Sequence, residues 1–278
     1  MENTTGTTAS PLLGKRALVT GAARAQGRSH ALRLAADGAD IMLLDIAKGL
    51  SSVTYVPATE EELRETASEI EALGRRVVVG VVDIRDFGAL STFVQKGVAE
   101  LGGLDIVVAN AGINSMARTW ELTEEQWCEV IDVNLTGTWH TVKATVPILI
   151  SQGHGGSIIL VNSSSGTRPR PFLAHYSASK AGGLAMMRAL ACEVGEYDIR
   201  VNAVLPTAVD TPMAVAPEFP DILANHPNLA YAFQDTALLP AGLLNPREIS
   251  AAVAWLASDE SRFVTGTALP VDAGSITK

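Results

Sequence analysis

The chain predicts a doubly wound α/β fold, a parallel sheet of about seven strands with helices on both faces. Three observations carry this expectation. Short β-rich apolar runs alternate with longer helical segments. Most of the runs are continuously hydrophobic, as strands covered on both faces should be. A glycine turn follows the first run at once, where such folds start a helix.

In order, the runs are RALVT (16–20), IMLLD (41–45), VVVGVVD (77–83), LDIVVAN (104–110), SIILVN (157–162), IRVNAVL (199–205) and ALPVD (268–272). The segments between them are long enough for right-handed crossover helices. Thr59 to Glu62 and Thr123 to Gln126 read as capping boxes that open two of those helices. Two connections are longer than usual. Residues 46–58 extend the link after the second run, and 206–245 form a Pro-rich stretch with scattered large apolar side chains. Long connections in compact domains commonly serve as lids or binding loops, though an irregular surface is the plain alternative.

The 278 residues are 47% hydrophobic and 18% charged, which suits one well-buried domain over 12–278 behind a flexible tail at 1–11. A net charge of −9 without any Lys/Arg run argues against a nucleic acid or an anionic membrane as partner. No apolar run is long enough to span a bilayer. The first ten residues have neither the basic nor the apolar region of a signal peptide. Cys128 and Cys192 fall in helical patterns without metal-ligand spacing, and read as reduced core thiols of a cytoplasmic protein with no metal site.

The glycine turn is the first chemical signal. Gly21 can make the tight turn, and Gly27 can allow close approach where the helix begins and offers free N–H groups to a pyrophosphate. Asp45 ends the second run, 24 residues after Gly21, where its carboxylate can accept from both adenosine ribose hydroxyls. The same charge would repel a 2′-phosphate, so NAD is favoured over NADP. Arg24 points the other way, as a possible phosphate ligand or a solvated loop residue. The second signal is HYSASKAGG at 175–183. Tyr176 and Lys180 stand one helical turn apart on one face. Alone, that short pattern fits two ordinary surface residues better than an activated acid/base.

Taken together, Thr20-Gly21-x3-Ala25-x-Gly27, Asn110-Ala111-Gly112, Asn134, Ser163, Tyr176-x3-Lys180 and Pro206-x4-Thr211 resemble the short-chain dehydrogenase/reductases. The resemblance runs over about residues 12–275 and implies a Rossmann fold. Within that family, TGAARAQGRSHA, the extension after Asp45 and EALGRRVV resemble the carveol-dehydrogenase-like branch. That branch is associated with mycofactocin, and its members hold NAD tightly, partly through the extension.

The resemblance implies Tyr176 as general acid/base, with Lys180 lowering its pKa and gripping the nicotinamide ribose. Ser163 would hydrogen-bond the substrate oxygen, with Ser164 turned away by strand alternation. Asn134 would hold a water leading from Lys180, or simply bond to neighbouring backbone. Asp83 and Ile84 would meet the adenine, unless Asp83 caps the next helix. Asn110, Ala111 and Gly112 would let the ribose approach, and Thr211, with Pro206 and Val209, would fix the nicotinamide. Three positions depart from the family. Ala25 replaces a glycine and is harmless if its φ is negative. Thr207 replaces another, which leaves that loop's path open, and Ala273 is a minor change.

Met213, Phe219, Leu223, Leu229 and Phe233 could form an apolar lid, with Ser115 and Met116 on the same pocket, or could pack against the body of the protein. A lid implies a hydrophobic secondary alcohol, terpenoid or steroid-like, and its ketone. An acyl substrate, an epimerase or dehydratase, and a non-catalytic NAD sensor remain alternatives. The helix from Ser177 is apolar or small nearly all round, which implies burial against a symmetric partner. Tetramers are common in the family.

Overall fold

The computed structural model describes residues 10–233 and 237–277. Of the expected tail, only Ser10 and Pro11 fall within them. Seven strands form one sheet in the order β3-β2-β1-β4-β5-β6-β7. They are Arg16–Thr20 (β1), Asp40–Asp45 (β2), Val77–Val81 (β3), Ile106–Ala109 (β4), Gly156–Val161 (β5), Ile199–Pro206 (β6) and Ala268–Val271 (β7). Every neighbouring pair is parallel.

The two faces of the sheet explain the continuous apolar runs. Leu18, Met42 and Leu44 point into one core, beneath Phe87–Leu101 (α3), Thr138–Gln152 (α5) and Ala174–Val194 (α6). Ala17, Val19, Ile41 and Leu43 point into the other, beneath Ala25–Ala36 (α1), Glu60–Ala72 (α2) and Pro246–Ala257 (α8). Alternate residues of one strand are therefore buried on opposite faces, so no polar alternation survives.

Both expected capping boxes are formed. Thr59 opens α2 by accepting from the Glu62 amide, and Thr123 opens Glu124–Ile131 (α4) by accepting from the Gln126 amide. The long stretch 206–245 carries a short helix, Phe219–Asn225 (α7), and a 3₁₀ segment at Pro227–Ala232. Residues 234–236 of that stretch lie outside the described residues.

The cysteines correct the sequence reading. Both Cys128 and Cys192 are exposed. Cys192 shares the open face of α6 with Ala178, Ala181 and Ala185, a strip of small residues that periodicity alone could not separate from core. Among the described residues no helix is long and apolar enough to cross a membrane, and no metal-binding cluster of His, Cys, Asp or Glu occurs.

Candidate active site

The sheet order reverses between β1 and β4, and at such a switch point the two strand ends diverge to leave a crevice. Thr20 and Asn110 stitch its floor. The Thr20 hydroxyl accepts from the amides of Asn110 and Ala111, each at 3.0 Å. The Asn110 amide donates to the carbonyls of Thr20 and Gly21 at 2.9 and 3.1 Å. Gly21 turns through φ +66°, and a Cβ on it would lie 2.8 Å from Ala111 Cα. On Gly27 a Cβ would lie 1.9 Å from the Gly21 carbonyl oxygen, so the turn and helix α1 meet with no room for a side chain.

Ala25 does not keep the negative φ that would make it harmless. It sits at +50°, and Ala273 sits at +52°. Both alanines thus hold a conformation that glycine adopts freely, at roughly 1–2 kcal/mol each. The turn keeps its glycine shape because Gly21, Gly27 and Asn110 determine it from both sides.

Asp45 lies under this turn, 7% exposed. One carboxylate oxygen accepts from the Ala23 amide at 3.1 Å, and the other from Ala47 at 3.0 Å. Those bonds aim the carboxylate into the groove and leave it lone pairs for a diol. Arg24 is not held for a 2′-phosphate, since its guanidinium donates to the Val56 carbonyl across the groove. Asp83 is gripped by the guanidinium and backbone amide of Arg85, which hold its carboxyl below the usual carboxylate range against burial. It does not cap α3, a role taken by Asp86.

Gly21, Gly27, Asp45, Asp83, Ile84 and Asn110 to Gly112 all line one groove, which also takes in Arg24 and Thr211. The 46–58 extension forms its far wall through Leu50, Val53 and Tyr55. Tyr55 is the residue that the motif reading missed. Its phenol reaches the Asn114 amide at 3.4 Å, and burial pushes its pKa up to about 12. Only its place in an overlong connection signalled it.

A second cavity, about 460 Å³ in volume, adjoins the groove. That is enough for a ligand of drug-like size. Ser163 and Tyr176 line it, with Pro206, Val209 and Thr211, while Lys180 and Asn134 lie behind at 6% and 3% exposure. Val209 is pinned by a short bridge to Leu244, which carries the chain past Thr207 without a positive φ.

Ser163 follows the end of β5 and caps a single 3₁₀ turn, accepting from the Ser165 amide at 3.1 Å. Because the strand ends at Val161, alternation no longer applies. Ser164 lines the same cavity instead of turning away. Asn162, not singled out from sequence, ties the pair together. It accepts from the Ser163 amide at 2.8 Å and donates to the Lys180 carbonyl at 3.0 Å.

Tyr176 opens onto the cavity but is otherwise enclosed. Burial raises its pKa, and the Ser163 hydroxyl opposes that rise. Lys180 lies one helical turn on from Tyr176. Its ammonium is 5.6 Å from the ring centroid and donates to the Val161 carbonyl at 3.0 Å, and burial brings its own pKa down to about 8. Asn134 sits in a π-helical segment, Asp132–Gly137, whose wider turn shifts the helical register at this point. Its side chain accepts from the Ile113 amide at 2.8 Å and donates to the Ile113 carbonyl at 2.9 Å. It thereby clamps the loop after β4.

Among the expected lid residues, Met213, Phe219 and Phe233 line the cavity with Met116, whereas Leu223 and Leu229 do not. Ser115 is buried and contacts the His175 Nε2 at 2.9 Å. His175 is fully enclosed, and burial lowers its pKa to about 4, so it is neutral at pH 7.

Residues 21–275 match the family described as enoyl-(acyl carrier protein) reductase. An uncharacterised NAD-dependent oxidoreductase of Mycobacterium tuberculosis is 52% identical over 95% of this chain and 97% of its own. The (−)-trans-carveol dehydrogenase of Rhodococcus erythropolis is 41% identical over 95% and 98%. Among solved structures, carveol dehydrogenase from Mycobacterium avium in complex with NAD is 46% identical with a TM-score of 0.91, covering 96% of this chain and 99% of that one. Fold, motif order and these likenesses agree, and the chain belongs to the short-chain dehydrogenase/reductase family.

Proposed function

We propose that the protein is an NAD-dependent oxidoreductase that interconverts a hydrophobic secondary alcohol and its ketone. The observation that carries this reading is the meeting of the two cavities. The groove that ends in Thr211 and Gly112 joins the cavity that holds Ser163 and Tyr176. The NAD-bound carveol dehydrogenase and the NAD-dependent relatives support the choice of coenzyme. Asp45 supports it too, because a buried carboxylate at the groove floor would repel a 2′-phosphate.

NAD would supply the hydride acceptor or donor at its nicotinamide. The glycine turn and the N-terminus of α1 would hold its pyrophosphate. Asp45 would hold the adenosine ribose, Asp83 and Ile84 the adenine, and Asn110 to Gly112 with Pro206, Val209 and Thr211 the nicotinamide half. Tyr176 would take the alcohol proton as the carbon loses hydride, and return it in the reverse direction. Ser163 would donate to the substrate oxygen and steady its charge. For Lys180 the role is to turn from the Val161 carbonyl to the coenzyme ribose, bringing its charge to the phenol. Asn134 acts by holding the backbone at Ile113.

The lid, 206–245, covers the substrate with Met213, Phe219 and Phe233. The extension covers the coenzyme, anchored by Arg24 on Val56 and by Ser52 on Glu129 at 2.9 Å. A coenzyme so enclosed would be retained between turnovers and need an external electron acceptor, and mycofactocin is the one that the resemblance to the carveol-dehydrogenase-like branch suggests. The strip of small residues on α6 supports a symmetric assembly, which we assign as a homotetramer. The test is to denature purified protein, identify the released nucleotide, and assay carveol-like alcohols with a redox dye. Released NAD with dye reduction is expected. No nucleotide and no turnover of any secondary alcohol would contradict the reading.

A further inference from the structure

The substrate cavity has one charged residue in its described lining, Arg170. Its guanidinium is partly buried beside the lid and the C-terminal segment. Nη1 donates to the Ala232 carbonyl and Nη2 to the Ser275 hydroxyl at 3.2 Å. No ion pair with a carboxylate reaches it from the described residues. An arginine carries five N–H donors, so those two bonds leave donors to spare. The nearest charge is of the same sign. Arg168 donates to the Ser275 carbonyl at 2.7 Å, and its repulsion adds to burial in lowering the Arg170 pKa.

A cation drawn out of water without a counter-charge is costly, and among the described residues only the two neutral acceptors at Ala232 and Ser275 offset that cost. The same cavity carries an apolar side, with Leu173, Met116, Met213, Phe219 and Phe233 in its lining. The backbone close to Arg170 is strained. Two residues on, Phe172 sits at φ +65°, a left-handed conformation that a bulky aromatic rarely adopts. Its carbonyl accepts from Ala117 at 3.2 Å, and its ring stacks on His226 at 5.2 Å. Strain of this kind persists where packing over-determines it, often around ligand sites.

We infer that Arg170 is a specificity-determining residue that reads a carboxylate, and that the natural alcohol carries this anion on an apolar ring or chain. The inference rests on the alcohol-oxidoreductase reading above and refines it. The alcohol oxygen would lie at Ser163 and Tyr176, the apolar body against the lid, and the carboxylate on the free edge of the guanidinium. A planar two-oxygen anion suits that fork better than a hydroxyl does.

The test uses the enzyme as purified, with its bound nucleotide. Dye-linked turnover is compared for cyclohexanol and 4-hydroxycyclohexanecarboxylate, and thermal shift for cyclohexanecarboxylate and its neutral carboxamide. We expect kcat/KM to favour the hydroxy acid by about tenfold or more, the scale of one charge-assisted contact. Arg170→Met should abolish that preference while leaving cyclohexanol within about threefold, and Arg170→Lys should retain part of it. Equal turnover of the two alcohols by the wild type, or an equal loss on both in Arg170→Met, would overturn the inference. If neither alcohol reacts, the oxidoreductase reading fails and the thermal shift decides the subsite alone. A shift with the carboxylate only, lost in Arg170→Met, supports it, and equal or absent shifts overturn it.

Discussion

Replacing Lys180 by methionine should make the nucleotide-free protein more stable while it destroys activity. Lys180 is 6% exposed, and burial lowers its pKa from 10.5 to about 8. At neutral pH the charged form therefore carries a penalty of about 3 kcal/mol. Methionine removes that penalty but forfeits the charge-assisted hydrogen bond to the Val161 carbonyl, about 2 kcal/mol. The net gain of about 1 kcal/mol should raise Tm by roughly 2–4 °C for a domain of this size. The gain must also depend on pH in a defined direction. Lysine burial is penalised in full below pH 8, and the penalty fades towards 10.5, where the unfolded chain also loses its proton. Thermal melts at pH 7 and pH 10 of protein freed of nucleotide give the measurement. The variant should lead by a few degrees at pH 7 and lose most of that lead at pH 10. A variant less stable at pH 7, or a lead that does not change with pH, would refute the claim that desolvation governs this lysine.

Two further outcomes follow from buried groups elsewhere. His30 is fully enclosed between α1 and α8, its Nδ1 2.8 Å from the Ser250 hydroxyl, and burial lowers its pKa to about 3. The neutral ring is the folded form, so stability is lost as pH falls below 6.5, by about 2 kcal/mol on reaching pH 5. Urea midpoints of wild type and His30→Met should diverge across that window, the variant being flatter. Gly27→Ala drives a Cβ against the Gly21 carbonyl, a backbone atom that cannot rotate away. The turn must open, costing about 1–3 kcal/mol. Nucleotide retained through gel filtration should drop with Tm, and a variant that keeps both would show that the close approach is dispensable.

The sheet was legible because burial on both faces writes continuous apolar runs, and the core residues Leu18 and Val19 fall on opposite sides as that pattern requires. Motif positions were legible for a related reason. Gly21, Gly27 and Asn110 are forced by backbone contacts that few side chains could satisfy. What the sequence did not carry was orientation across long separations. Arg24 turns to Val56 in the extension, Tyr55 reaches Asn114, and Ser115 packs on His175 instead of lining the pocket. Local cues also misled where a regular element stops. Strand alternation failed at Ser164 because β5 had ended, and Ala25 took a positive φ because its turn is imposed by its neighbours.

In the proposed reaction the phenol of Tyr176, beside Ser163, moves the proton while hydride passes to the enclosed coenzyme. The most direct measurement is a single turnover of nucleotide-bound enzyme with a secondary alcohol, followed at 340 nm, for wild type and Tyr176→Phe. Both should retain NAD, and the variant should form reduced coenzyme about 10²–10⁴-fold more slowly. A Tyr176→Phe enzyme that binds NAD and reduces it at the wild-type rate would contradict that role of the phenol.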